Sequence, residues 1–157
     1  DLPPRLGVAV SGGGDSTALL YLTAEWAAPR GVSVTVVTVD HGLREGSASE
    51  AELVSQTSAG LGLKHQTITW DGWNGRGNLQ DEARRASRKL IARWGRDEGI
   101  SHVLLGHTLD DQAETFLMRL ARGSGVDGLS AMAPVTSTDG LKWLRPLLAV
   151  HREALRH

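Results

Sequence analysis

Three features of this 157-residue chain predict an α/β fold, a doubly wound and mostly parallel sheet with helices on both faces. Apolar β-branched runs alternate with helix-like segments, the pattern of strand–helix–strand crossovers. Two of those runs, Leu6–Val10 and Val32–Val39, show little in–out alternation, as strands covered on both faces do. Loops rich in glycine, aspartate or histidine follow the strands, and open α/β sheets bind ligands at the carboxyl ends of their strands. Five strands are expected, in one domain spanning residues 1–157.

The first strand, Leu6–Val10, runs into Ser11-Gly12-Gly13-Gly14-Asp15-Ser16, and an apolar helical run resumes at Ala18–Leu22. Val32–Val39 is the second strand, ending at Asp40-His41-Gly42-Leu43-Arg44. A helix capped by Ser47 or Ser49 runs to about Leu61, with Gly60 and Gly62 at its end. Lys64–Thr69 alternates polar and apolar residues, which suits a strand near the sheet edge. Asp71–Gly77 is a loop. Asn78 caps a helix from Leu79 to about Glu98, with Leu79, Ala83, Ala86, Leu90 and Trp94 on one face. Val103–Leu105 is a short fourth strand, followed by a helix over Leu109–Arg122 that Gly123, Gly125 and Gly128 break. Trp143–Leu148 is the fifth strand, which Pro146 makes an edge or irregular element. His151–His157 has helical composition.

The strand–glycine–helix stretch presents free backbone N–H groups to an anion. Three glycines allow close approach to phosphate oxygens. Ser11, Ser16 and Thr17 add hydroxyls, and Asp15 stands where a carboxylate holds a divalent cation on phosphates. The spacing differs from the lysine-containing phosphate loop and from the dinucleotide fingerprint. Backbone groups around Val39 and the following His41 lie where a nucleoside would sit; a plain polar turn would read the same. In Gly106-His107-Thr108-Leu109-Asp110-Asp111-Gln112-Ala113-Glu114, three carboxylates crowd one helix start, more than the helix dipole requires. Asp111 and Glu114 share a face. The group suits magnesium or a cationic amine, and His107 is a candidate proton acceptor or an orienting residue. Arg84, Arg85, Arg88, Lys89, Arg93 and Arg96 form a basic strip on the long helix, a face for RNA phosphates or a solvated surface, the solvated surface being the reading for Arg93 and Arg96. Of these, Arg84 and Arg88 lie nearest the predicted crevice. Arg119 and Arg122, before a glycine loop, read equally as helix-dipole partners or as anion contacts.

Composition narrows the classes. With no cysteine there is no disulfide, thiolate metal site or cysteine chemistry within the chain. No apolar run approaches a membrane span and no secretory signal opens the sequence, so a cytoplasmic location without membrane contact is expected. A net charge of −1 at pH 7 confines any nucleic-acid contact to a local patch.

The motif SGGGDS resembles the loop of the ATP-pyrophosphatase superfamily. Together with VDHGLR, GNLQDEARRASR, GHTLDDQAETFLMRLARGSG and WLRPLL, the chain resembles the N-terminal catalytic domain of the tRNA(Ile)-lysidine synthases, from Gly7 to about Arg152. The resemblance implies ATP and Mg2+ as cofactors and L-lysine and a tRNA(Ile) with a CAU anticodon as partners. It implies adenylation of the wobble cytidine with release of pyrophosphate, then attack by the lysine ε-amine with release of AMP. On that resemblance Ser11, Gly12, Gly13, Gly14, Asp15, Ser16, Val39, His41 and Gly106 bind the nucleotide. Asp111 and Glu114 take lysine, Asp15 with Asp110 or Asp111 takes magnesium, and His107 and Arg84 complete the catalytic set. Gly14 stands where such loops commonly carry a larger residue. Family members continue past the equivalent of His157 into segments that grip tRNA, so this stretch is expected to bind ATP and to modify tRNA poorly alone. The oligomeric state stays open, a homodimer being one arrangement for the full-length protein. The rival readings are a tRNA thiolase, an amidotransferase-type synthetase and a non-catalytic ATP-binding module.

Overall fold

The computed structural model describes residues 3–42, 46–70, 79–108, 110–111 and 133–156. In chain order they form β1 (Arg5–Ala9), α1 (Gly14–Ala27), β2 (Ser33–Asp40), α2 (Ser47–Gly60), β3 (Lys64–Thr69), α3 (Leu79–Glu98), β4 (His102–Leu104), β5 (Val135–Thr138) and β6 (Leu141–Leu144). Short 3₁₀ turns follow α1 at Ala28–Arg30 and β6 at Arg152–Arg156. The expectations placed on Leu43, Arg44, Asp71–Asn78, Gln112–Gly128 and most of the helix after β4 lie outside the described residues.

The strands pair in the order β3-β2-β1-β4-β6-β5. Every pairing is parallel except β5 with β6. The α/β class holds, with six strands rather than five. The additional strand belongs to a hairpin whose turn is Asp139-Gly140, with φ of 56° and 80°. Asp-Gly favours this mirror-image two-residue turn because both positions need positive φ. The expected fifth strand over Trp143–Leu148 is displaced to Leu141–Leu144. It ends before Pro146, as it must, because β6 is an interior strand and proline has no N–H for the ladder. Pro146 therefore marks the end of a strand, and β5 is the edge.

Alternation along the strands divides the core in two. Leu6, Val8, Val34 and Val36 face Leu19, Leu20 and Ala27 of α1 and Val54 of α2. Val37, Val103 and Trp143 face Ile91, Ala92 and Trp94 of α3. One sheet thus presents an apolar surface to helices on each side, and each aliphatic side chain so buried contributes about 1.5–3 kcal/mol. The buried stripe of α3 differs from the expected one. Ala83 and Trp94 are buried as foreseen, but Ile91 and Ala92 fill the core, while Leu79, Ala86 and Leu90 are only partly covered. The helix is rotated so that Ser87, one turn from both Ala83 and Ile91, reaches the sheet end. The N-terminus of α2 also departs from expectation. Gly46 is the cap residue, Ser47 is already helical, and no side chain caps the helix.

The chain runs from β1 outward to β2 and β3, then crosses to the far side of β1 for β4. That reversal opens a crevice above the carboxyl ends of β1 and β4, where ligands of such sheets bind. The 3₁₀ turn after β6 returns to the same end, with Val150 and Leu155 packed on the α1 core.

Candidate active site

A cleft of about 540 Å3 occupies that crevice. Ser11, Gly13, Gly14, Asp15 and Ser16 line one wall. Val39 and His41, at the end of β2, line a second, and Gly106, His107 and Asp111, after β4, line a third.

The glycine loop is braced by its own hydroxyls. Ser16 Oγ accepts from the Ser11 N–H at 3.1 Å, and Ser11 Oγ accepts from the Gly13 N–H at 3.3 Å. Gly13 O receives the Thr17 N–H at 3.0 Å and the Thr17 hydroxyl at 2.8 Å. Gly13 is the cap of α1, and no side chain caps the helix. The amides of the first turn are therefore left for an anion, with the helix dipole behind them. Gly12 takes a different position from its neighbours. With φ 94° it turns toward α2, where a Cβ would lie 3.2 Å from Glu50 Cβ, and it does not line the cleft. At Gly14 a Cβ would meet nothing within 4 Å, so a larger residue fits there.

A domain-family model with the description PP-loop domain matches residues 2–157. The chain belongs to the PP-loop family. Two curated relatives, both called tRNA(Ile)-lysidine synthase, come from Ruegeria pomeroyi and Bradyrhizobium diazoefficiens. The first is 59% identical over 98% of this chain and 37% of the relative. The second is 51% identical over 97% of this chain and 43% of the relative. The chain thus spans well under half the length of the relatives it matches. Among solved structures, the U34-tRNA thiolase NcsA of Methanococcus maripaludis with its [4Fe-4S] cluster superposes with a TM-score of 0.80 at 18% identity, covering 97% of this chain and 54% of that one. The NH3-dependent NAD synthetase of Campylobacter jejuni superposes at 0.56 and 14% identity, covering 99% of this chain and 62% of that one. At such identities these two likenesses speak for the fold alone.

Opposite the PP-loop, Asp111 has two jobs. Its Oδ2 accepts from the Thr108 N–H at 2.7 Å and the Thr108 hydroxyl at 3.0 Å, closing the start of a helix as a capping box does. Its Oδ1 accepts from Arg152 Nη2 at 3.0 Å. Arg152 Nε donates to Asp15 Oδ2 at 2.9 Å, so one guanidinium ties the PP-loop to the acidic cluster. The Arg152 backbone N–H donates to Asp110 Oδ1 at 2.8 Å and holds that carboxyl below its usual range. Sequence reasoning missed Arg152, which stands in a short polar segment with no periodicity to mark it.

Two further residues were missed, and each carried a signal. Arg145 continues the inward register of Leu141 and Trp143, so a charged residue stands at a core position; it is 5% exposed. Its Nε donates to His107 Nδ1 at 3.1 Å. Ser87 interrupts the apolar stripe of α3, and its Oγ lies 2.6 Å from His41 Nε2. Trp70 packs edge-on against the His41 ring, with centroids 5.5 Å apart.

Arg84 does not line the main cleft. It borders an adjoining hollow of about 470 Å3 that shares Ser11, Val39 and His41 with it. Arg88 stacks over Trp143 at 5.8 Å. Glu114 lies outside the described residues.

Magnesium keeps several waters and binds through one or two carboxylates plus substrate phosphates. Asp15 and Asp111 fit that mode, since a cationic guanidinium already bridges them. Among the described residues no three His, Cys, Asp or Glu gather closely enough to hold a metal alone.

Burial holds His107 below the ordinary value of 6.5, helped by Arg145, Arg88 and Arg84 and opposed by Asp111. Burial also lowers His65, on β3, with Glu52 opposing. Both therefore bind fewer protons folded than unfolded. As pH falls through 6.5 the unfolded chain takes up those protons first, so stability falls. The unfolding midpoint is expected to be lower at about pH 5.5 than at about pH 7.5, and His65→Gln should shrink the difference. An equal difference in the variant would contradict this origin.

Proposed function

We propose that this chain is the ATP-binding catalytic part of a tRNA(Ile)-lysidine synthase. The observation that carries the reading is the convergence of an uncapped PP-loop helix and a carboxylate cluster on one cleft, within a chain 59% identical to a relative of that name. In the first step the cytidine carbonyl oxygen attacks the α-phosphorus of ATP, and pyrophosphate leaves. The carbonyl is a poor electrophile, and adenylation gives its carbon a good leaving group. In the second step the neutral ε-amine of L-lysine attacks that carbon and AMP leaves.

The parts divide accordingly. Amides of Gly14 and the residues after it stabilise charge on the departing pyrophosphate. Ser11 and Ser16 hold the loop's shape, and Gly12 lets it turn. Adenine occupies the slot beside Val39 and His41. Asp15 and Asp111 would hold magnesium, which when bound neutralises phosphate charge. Asp111 with Glu114 attracts the lysine ammonium, and free lysine, with a pKa of about 10.4, must lose a proton before it attacks. Arg84 and Arg88, both exposed and both close enough to act on His107, meet RNA phosphates at the rim of the cleft.

The test is pyrophosphate release by the full-length protein. It should require a tRNA with a CAU anticodon, and lysine should become covalently attached to that tRNA. Release that is indifferent to RNA, or a product formed equally with ammonia or a sulfur donor, would overturn the reading in favour of another PP-loop activity.

A further inference from the structure

We infer that His107 serves the reaction as a hydrogen-bond donor through Nε2, not as a proton acceptor, and that Arg145 is the positioning residue that fixes this state. The inference about the reaction rests on the function proposed above; the inference about the imidazole does not.

Arginine has five N–H donors, no acceptor, and stays protonated in proteins. Arg145 Nε lies 3.1 Å from His107 Nδ1, so Nδ1 must offer its lone pair. The proton of the neutral ring then belongs to Nε2. A second proton would have to enter at Nδ1, against the donor already there.

Arg145 has little freedom to move away. Its backbone N–H donates to Pro134 O at 2.8 Å, and Nη1 donates to Ala133 O at 3.2 Å and to Thr136 Oγ1 at 3.1 Å. The β5–β6 hairpin and the segment just before it therefore clamp the guanidinium. None of these partners is a carboxylate, so among the described residues the buried positive charge has no ion-pair partner. Arg88 and Arg84 add positive charge around the ring, and among the described residues Asp111 alone opposes it.

His107 lines the cleft beside Gly106, whose position is set against the backbone of Asp15 and Ser16. A fixed N–H there, backed by a buried cation, suits an anionic oxygen of the reacting phosphate. It does not suit capture of a proton from an amine. Deprotonation of lysine then falls to the carboxylates or to solvent.

Glutamine separates the two roles. In His107→Gln the amide oxygen can accept from Arg145 while its NH2 donates to the cleft, but glutamine cannot take a proton. With the full-length protein, His107→Gln should keep kcat for lysine transfer to tRNA within about 10-fold, whereas His107→Leu should lose about 100- to 1,000-fold. Equal loss in both variants overturns the proposal. An independent reading comes from nitrogen NMR of histidine-labelled protein near neutral pH, with the His107 signal assigned by its disappearance in His107→Gln. It should report a protonated Nε2 and an unprotonated Nδ1, and Arg145→Met should give a mixture of tautomers. A protonated Nδ1 in the native protein, or an unchanged signal in Arg145→Met, overturns the proposal even if the lysidine reading fails. If the tautomer is as stated and no variant or native protein acts on tRNA, the failure lies with that reading.

Discussion

Replacing Gly106 with alanine is expected to abolish nucleotide binding and to lower stability by about 1–3 kcal/mol. A Cβ at this position would stand 2.9 Å from Ser16 Cα, 3.1 Å from Ser16 N and 3.3 Å from the Asp15 carbonyl carbon. All three are backbone atoms in the first turn of α1, where no side-chain rotation can relieve the clash. β1 and β4 are neighbouring parallel strands, so the loops that leave them share one narrow space. Separating the loops moves the first-turn amides away from the third wall of the cleft, and anion stabilisation depends on their placement to within a few tenths of an ångström. Gly14→Ala is the matched control. The same methyl group is added one residue before Asp15, where nothing lies within 4 Å, and binding should persist. Calorimetric titration with a non-hydrolysable ATP analogue, together with denaturant unfolding, distinguishes the two variants. Native-like affinity in Gly106→Ala would mean that the phosphates do not sit between these loops.

The second large effect is expected from Arg152→Met, which keeps most of the aliphatic stem and removes the charge. The side chains of Asp15 and Asp111 are only 22% and 25% exposed, and each has one oxygen on this guanidinium. Without it the two carboxylates face one another with no cation between them, at a cost of about 1–3 kcal/mol in stability. Magnesium can supply the missing charge. Its addition should therefore raise the unfolding midpoint of the variant clearly more than that of the native protein, in which arginine already holds the position. A variant as stable as the native protein without magnesium, or one indifferent to the ion, would remove the carboxylate pair from the list of cation sites.

Much of this arrangement was legible in the sequence because it depends on local pattern. The bounds of α3, Leu79–Glu98, and of β3, Lys64–Thr69, follow from periodicity and from flanking glycines and match the structure. The loop after β1 was readable because few sequences place three glycines, an aspartate and two serines between a buried strand and a helix. What escaped depends on distance. Arg152 meets Asp15 across 137 residues, and nothing local to either residue announces the pairing. The β5–β6 hairpin escaped for a different reason. Thr136, Ser137 and Thr138 are polar and the strand is an exposed edge, so hydrophobic patterning is silent, although Asp139-Gly140 carried the turn signal. Arg145 was visible as a charge at an inward strand position. Its meaning appears only when β4 and β6 are paired, bringing it beside His107.

The most direct measurement is a crystal structure of the protein with magnesium and a non-hydrolysable ATP analogue. Phosphate oxygens should lie within hydrogen-bonding distance of the Gly14 and Asp15 amides, the adenine against Val39 and His41, and Arg152 should be displaced from at least one of its two carboxylates. Phosphates bound elsewhere, with the Asp15–Arg152–Asp111 bridge intact, would contradict this arrangement.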